Sequence, residues 1–319
     1  MSFVNTICDK VYVINLTKDK HKMESAKQQL ETQSIQYERF NAIEGSISES
    51  TNQFTPFCNK FCANGLKGCA ASHRALWQTM IDNKYDYILV LEDDVILDKD
   101  FNVKLALLYS DVPKDFDILY LGSLFYCGDN SFYSRLRNLQ STKIKENILQ
   151  VDGCAGFHGY IISNKCAQKF LQEKVSFHID DNAIGWIQKY NRKAYAIYPP
   201  IVKQTLIDSN LSSKYPPILN KALSNIYLND DVPLNWLLSE NSYKFSSIHI
   251  NSLLIILLVI AFFIPLQYYY LIYLWLFSEW LCSTNLHSSY LVSPNMGNSI
   301  KYATLFGIIF FIKYYIIRY

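Results

Sequence analysis

The stretch "YILVLEDDVIL", Tyr87 to Leu97, sets five apolar or aromatic residues before three consecutive acids and three more apolar residues after them. A short run that is apolar on both faces reads as a strand inside a helix-covered, largely parallel sheet. The acids contradict that burial, because an ionised carboxylate withdrawn from water is costly unless a cation or hydrogen-bond donors receive it. On a strand, Glu92 and Asp94 share one face and Asp93 takes the other. At the C-terminal end of a parallel strand such a pair lies in the crevice where open α/β sheets bind ligands. Two hard carboxylates there suit Mn²⁺ or Mg²⁺, which fills its other positions with phosphate oxygens and water. The alternative, a solvated strand end turning toward Asp98 and Asp100, leaves three adjoining acids without a partner.

The flanking sequence repeats the same organisation. "VYVINL" (Val11 to Leu16) reads as a buried strand, and Met23, Ala26 and Leu30 sit at helical spacing within Lys18 to Leu30. "YERFNAI" (Tyr37 to Ile43) is the next strand, residues 46 to 67 form a polar loop, and a helix runs from Cys69 to Asn83. "FDILYLG" (Phe116 to Gly122) follows as a strand, and Ser123 to Gln150 reads as an insertion or acceptor-side loop. "GFHGYIIS" (Gly156 to Ser163) hands over to a helix capped by Ser163 or Asn164. A second helix begins near Asp180, whose side chain suits a cap, and Pro199 and Pro200 end the last strand. Strands alternating with helices predict an α/β domain with a central, mostly parallel sheet.

The chain has 319 residues, half of them apolar, and a net charge of +2 with no basic stripe, which argues against a nucleic-acid partner. Eight cysteines are too sparse for a disulfide scaffold and are expected as free thiols. Cys58, Cys62 and Cys69 match no common zinc spacing. The opening "MSFVNTICDKVYVINL" lacks the basic start, apolar run and cleavage site of a signal peptide.

Beyond residue 245 the composition changes. Ile250 to Ser278 contains no charged residue or histidine, and about 20 apolar residues suffice to span a bilayer. This run is a transmembrane candidate despite Pro265. A second run, Tyr302 to Ile317, is interrupted by Lys313; it crosses if that lysine snorkels to the interface, or lies along the surface. The positive-inside bias favours a hairpin with both ends, and the catalytic domain, on the cytoplasmic side; a single pass is the alternative. The expected division is a catalytic domain over 1–215, a linker over 216–246 and a hydrophobic membrane-associated region over 247–319.

In order and approximate spacing, "VYVINL", "RFNAIEG", "GLKGCAASHRALW" and "YILVLEDDV", followed by "GYIISNKCAQKF", "HIDDNAIGWI" and "PPIVKQ", resemble glycosyltransferase family 25. The resemblance covers roughly residues 10 to 212. It implies a GT-A-like nucleotide-sugar-binding fold, a UDP-sugar donor, usually of galactose, and Mn²⁺ or Mg²⁺ at the acidic motif. It also implies inverting transfer to a hydroxyl of a glycan, glycolipid or glycoprotein. Carried over residue by residue, Asp94 is the metal ligand with Glu92 assisting, and Asp93 meets the ribose or a donor hydroxyl. Asn15 stands where such folds meet the nucleotide, or merely closes its strand. Where the family often has an arginine after the first strand, this chain offers Lys18, Lys20 and Lys22, with Lys22 the nearest match and without the bidentate fork. Ser72, His73 and Arg74, read as the start of a helix, are candidates for the diphosphate or donor sugar. The general base is sought at Asp180 or Asp181, with His158 and His178 as alternatives, and Gln204 braces the pocket. Two rivals remain: an inactive membrane-anchored module that only binds nucleotide sugar, and a phosphohydrolase of the Asp-x-Asp type, which would need an aspartate where Glu92 stands.

Overall fold

The computed structural model describes residues 2–45, 51–62, 64–124, 127, 139–205, 222–223, 226–229, 232–234, 238, 241–245, 248–286 and 294–318. The chain packs as two units, residues 1–60 with 65–210 and residues 61–64 with 211–319. The expected domain boundary at 215 lies outside the described residues.

The first unit runs α1 (Val4–Ile7), β1 (Lys10–Asn15), α2 (Lys20–Thr32), β2 (Glu38–Asn41), α3 (Pro56–Phe61), α4 (Asn64–Asp82), β3 (Tyr87–Glu92), β4 (Val95–Leu97) and α5 (Phe101–Tyr109). It continues with β5 (Ile118–Tyr120), β6 (Ser141–Lys145), β7 (Ile148–Val151), β8 (Gly159–Ser163), α6 (Asn164–Leu171), α7 (Ile179–Tyr190), β9 (Ala194–Ile197) and β10 (Val202–Gln204). An eight-stranded sheet has the order β2-β1-β3-β8-β5-β9-β7-β6. β1 pairs in parallel with β2 and β3, and β5 with β9, while β8 and β7 run against their neighbours. The sheet is therefore mixed, with six strands pointing one way. Because β2 and β3 lie on opposite sides of β1, the chain reverses its winding there, and the crevice of an open sheet forms at such a switch point.

Alternation along the strands builds two cores. Val11, Val13, Leu89 and Leu91 join Ala26 and Leu30 of α2 and Phe101 and Leu105 of α5 in one cluster. The opposite face carries Ile88 and Val90, both buried, and there α4 brings Trp77 against Phe157 and Phe170. Glu92 continues the Ile88–Val90 face.

The decisive stretch is not one strand. β3 stops at Glu92, Asp93 and Asp94 make a turn, and β4 leaves the large sheet to pair antiparallel with β10. The acids thus occupy the break between two strands, which resolves their conflict with the apolar run. The expected loop over 46–67 contains α3 and the first residues of α4, so Ser72, His73 and Arg74 lie well inside a helix and not at its start. The weakly patterned 123–150 segment contains the β6–β7 hairpin, whose outer strand carries exposed Lys143 and Lys145, a charged sheet edge that hides its strand character. Ser163 is the cap of α6, its Oγ accepting from the Cys166 amide at 3.2 Å. α7 begins after His178 and has no side-chain cap, so Asp180 does not serve as one.

Four cysteines depart from the expectation of free thiols. Cys127 and Cys154 form a disulfide, and Cys58 and Cys62 are also disulfide-bonded, which removes both from any zinc set with Cys69.

In the second unit, the expected linker holds paired strands at Tyr227–Asn229 with Val232–Pro233 and the strand Asn241–Phe245, whose partner is Ile248–Asn251. Among the described residues three helices follow: α8 (Ser252–Phe263), α9 (Tyr269–Leu286) and α10 (Pro294–Arg318). Pro265 lies between the first two, and their apolar segments, Ile255–Phe263 and Leu266–Phe277, are bent by 119°. The continuous span expected over 250–278 is therefore broken, and among the described residues no single helix is long and apolar enough to cross a membrane. Lys313, for which snorkelling to the interface was one of two readings, donates to the Ile264 carbonyl beside the break and lies over the rings of Phe262 and Tyr269. That carbonyl ends a helix and has lost its own donor, so the ammonium satisfies it.

Gly68 sets how closely α4 approaches the end of β2. A Cβ there would come within 2.5 Å of the Ile43 carbonyl and 2.8 Å of the Gly45 amide. Both contacts are backbone and cannot swing aside. Gly68→Ala is expected to destabilise the first unit by about 1–3 kcal/mol, as overpacking does; an unchanged midpoint in thermal denaturation would refute that close approach.

Candidate functional site

The C-terminal ends of β1 and β3 lie side by side, with Ile14 paired to Glu92. Asn15 is buried at the end of β1, and its Nδ2 donates to Asp93 Oδ2 at 2.6 Å and to the Asp19 carbonyl at 3.0 Å. Its Oδ1 accepts from Arg39 Nε on β2 at 2.8 Å. The sequence points to a cation directly after β1; the sheet supplies Arg39 from the neighbouring strand. Of the three lysines considered there, Lys18 and Lys20 are exposed, whereas Lys22 is buried and its charge eases Glu92, Asp93 and Asp94 together.

Asp93 diverges from its neighbours, the division expected of a strand although Asp93 and Asp94 form a turn. Asp93 turns to Asn15, while Glu92 and Asp94 meet at Gln204. The Gln204 Nε2 stands 3.1 Å from Glu92 Oε2 and 3.0 Å from each oxygen of Asp94. The β4–β10 ladder fixes this approach, with Gln204 opposite Val95 and the Thr205 amide donating to the Asp94 carbonyl at 2.9 Å. An amide nitrogen has two hydrogens and here faces three carboxylate oxygens. It offers those three oxygens partial positive charge and no formal charge.

The electrostatics agree. Burial, with Asp93 and Asp180 nearby, pushes Glu92 up to about 7. Burial and the charge of Glu92 push Asp94 up to about 7. Burial also raises Asp93, against the Asn15 hydrogen bond and Lys22. Glu92 keeps a quarter of its side-chain surface open. The cluster is short of positive charge while its oxygens are hard donors, the set that Mg²⁺ and Mn²⁺ prefer.

Two further groups border it. His73 is buried on α4, with Nε2 3.4 Å from Glu92 Oε1 and Nδ1 2.8 Å from the Tyr160 hydroxyl. Burial holds its pKa down at about 3, so the ring is neutral and its contact with Glu92 is a hydrogen bond and not an ion pair. Asp180 lies in the first turn of α7; its Oδ2 accepts from the Gly156 amide at 2.8 Å and its Oδ1 from the Asp181 amide at 2.9 Å. Its charge is felt by both Glu92 and His73.

Ser72 and Arg74 bond to backbone groups of neighbouring elements. Ser72 Oγ accepts from the Ile43 amide at 2.8 Å and donates to the Gly68 carbonyl at 2.7 Å. Arg74 donates to the Phe170 and Leu171 carbonyls at the end of α6, at 3.1 and 3.0 Å. Asp181 is 4% exposed, and His158 is buried against Gly122 and Gly156. Cys69, His73 and Glu92 each bring one potential ligand atom within 4.8 Å of the others.

The family described as "Glycosyltransferase family 25 (LPS biosynthesis protein)" matches residues 8–183. Procollagen galactosyltransferase 2 of Mus musculus is 26% identical over 181 residues, covering 51% of this chain and 27% of that protein. A putative glycosyltransferase of Haemophilus influenzae is 30% identical over 169 residues, covering 50% of this chain and 56% of its own length. A protein of Bos taurus named "Probable inactive glycosyltransferase 25 family member 3" is 25% identical over 128 residues, covering 36% of this chain and 22% of that one. The chain thus spans between about a quarter and somewhat more than half of these first relatives' lengths.

The raised carboxylates carry a pH signature. Without added divalent cation the folded state keeps protons on Glu92 and Asp94 up to about 7, whereas unfolded carboxylates lose theirs near 4. The folded state binds more protons across that interval, so stability is greatest below it and falls as pH rises through it. The midpoint of thermal unfolding is expected to drop between pH 5 and pH 8, and less steeply in Asp94→Asn. Parallel slopes in the two proteins would remove the cluster as the cause.

Proposed function

The chain belongs to glycosyltransferase family 25, and from that premise we propose that it transfers a hexose, galactose first among candidates, from a UDP-sugar to a hydroxyl of a glycan, glycolipid or glycoprotein. The transfer inverts the sugar carbon and depends on Mn²⁺ or Mg²⁺. The observation that carries this reading is the convergence of Glu92 and Asp94 on one amide nitrogen at the switch point of the sheet.

Asp94 and Glu92 would hold the metal, which when bound neutralises the departing diphosphate. Asn15, kept in place by Arg39 and Asp93, borders the nucleotide side of the crevice, and Lys22 adds positive charge near the phosphates. On the acceptor side Asp180 is the general base. Two backbone amides fix its carboxylate, and a base must be held within hydrogen-bond reach of the hydroxyl it deprotonates. Inversion would require this base and the leaving group to lie on opposite faces of the sugar carbon.

Membrane association through residues 247–319 belongs to the same reading. α8, α9 and α10 expose large apolar side chains, including Phe263 at 77% and Phe311 at 62%. Exposed apolar side chains in such number suit contact with a lipid phase more than with water. Anchoring raises the local concentration of a membrane-borne acceptor. As for compartment, the Cys127–Cys154 disulfide and the oxidised Cys58 and Cys62 favour a catalytic domain in an oxidising space, against the cytoplasmic orientation expected from charge bias.

Purified protein is expected to hydrolyse or transfer from a UDP-hexose only with Mn²⁺ or Mg²⁺, and Asp94→Ala to lose about a hundredfold or more in turnover. Nucleotide-sugar binding without turnover would instead place the chain with the inactive members of its family. In flotation with phospholipid vesicles the full chain is expected to rise with the lipid, and the Phe263→Asp, Phe311→Asp double variant to remain below; equal flotation would rule out these faces as the contact.

A further inference from the structure

Trp77, Tyr160 and His73 form a chain of contacts that the roles assigned above leave unexplained. Trp77 Nε1 is 3.0 Å from the Tyr160 hydroxyl, which is 2.8 Å from His73 Nδ1, and His73 Nε2 is 3.4 Å from Glu92 Oε1. Trp77 and Tyr160 are fully enclosed and His73 is 1% exposed, so each hydrogen must be received within the protein.

The directions follow from donor chemistry. An indole nitrogen only donates, so the Tyr160 oxygen accepts from Trp77. The Tyr160 hydrogen then needs an acceptor, and His73 Nδ1 is the one in reach among the described residues. Nδ1 therefore carries no hydrogen. A neutral imidazole among Trp77, Phe157 and Tyr160 must carry its proton on Nε2, which faces Glu92. The Glu92 carboxylate is thereby divided, Oε1 receiving from His73 and Oε2 from Gln204.

The geometry points to Tyr160 as a positioning residue: by donating to Nδ1 it fixes the His73 tautomer, and the Nε2–H then orients Glu92 in the site. The same tautomer leaves His73 without a lone pair toward Cys69 and Glu92, so that trio is not a metal site. The inference rests on Glu92 acting in the proposed reaction, although the tautomer itself does not.

The test uses the full chain. Long-range ¹H–¹⁵N spectra of histidine-labelled protein are expected to show His73 protonated on Nε2, and Tyr160→Phe to lose that uniform state. Turnover in Tyr160→Phe is expected to fall about ten- to a hundredfold with the donor KM little changed. His73→Gln, whose amide can reach toward Glu92 without help from Tyr160, is expected to keep part of the activity, and adding Tyr160→Phe to it to cost no more. A His73 proton on Nδ1 in the wild type, or equal losses from Tyr160→Phe in both backgrounds, would overturn the inference. If Glu92→Gln turned over as the wild type does, the reaction scheme would fail while the tautomer result stood, so the two failures are distinguishable.

Discussion

Electrostatic deficit at one end of the sheet governs this molecule. Glu92, Asp93, Asp94 and Asp180 come from a strand end, a turn and a helix start; the charges of Asp93 and Asp180 raise the proton affinity of Glu92, and those of Glu92 and Asp93 raise that of Asp94. Lys22 and the amides of Asn15 and Gln204 offset part of that repulsion. A fold that served only stability would replace such a cluster with apolar contacts, since unpaired buried charge is expensive. Its persistence beside two well-packed cores is the physical ground for reading the site as a receptacle for a cation and an anionic leaving group.

Much of this was legible because it is local. Alternation along Tyr87–Leu97 placed Glu92 and Asp94 on one face and Asp93 on the other, and the contacts to Gln204 and Asn15 follow that division. Apolar runs located β1, β3, β5 and β8 to within a few residues. The strand break was not legible, because Val95–Leu97 is as apolar as what precedes the acids; its pairing with β10 depends on residues more than a hundred positions away. Arg39 and Tyr160 stand in the blocks "RFNAIEG" and "GYIISNKCAQKF", but only the pairing of their strands beside β1 and β3 brings them to the site.

Helix boundaries misled in an instructive way. Gly68 looks like a helix start, yet α4 runs through it from Asn64, and the glycine is required by the close passage of Ile43 and Gly45. Moving the start back by a turn puts Ser72, His73 and Arg74 in the helix interior, where side-chain direction and not the helix dipole decides their roles. Spacing then separates them: Ser72 binds the loop after β2, Arg74 the end of α6, and His73 alone points to the acids.

The C-terminal unit shows how composition and geometry constrain each other. Composition alone allowed a span through Pro265, because it counts residues and not their direction. Proline removes a donor and clashes with the preceding turn, so the helix ends and its last carbonyls need partners. Lys313 supplies one at Ile264 from a distant helix. In hydrocarbon an ammonium so placed would be tolerable only while that bond and the rings of Phe262 and Tyr269 received it. The lysine that interrupts the second apolar run is thus the residue that ties the broken first run to it, and the two act as one packed element whose outward faces remain apolar.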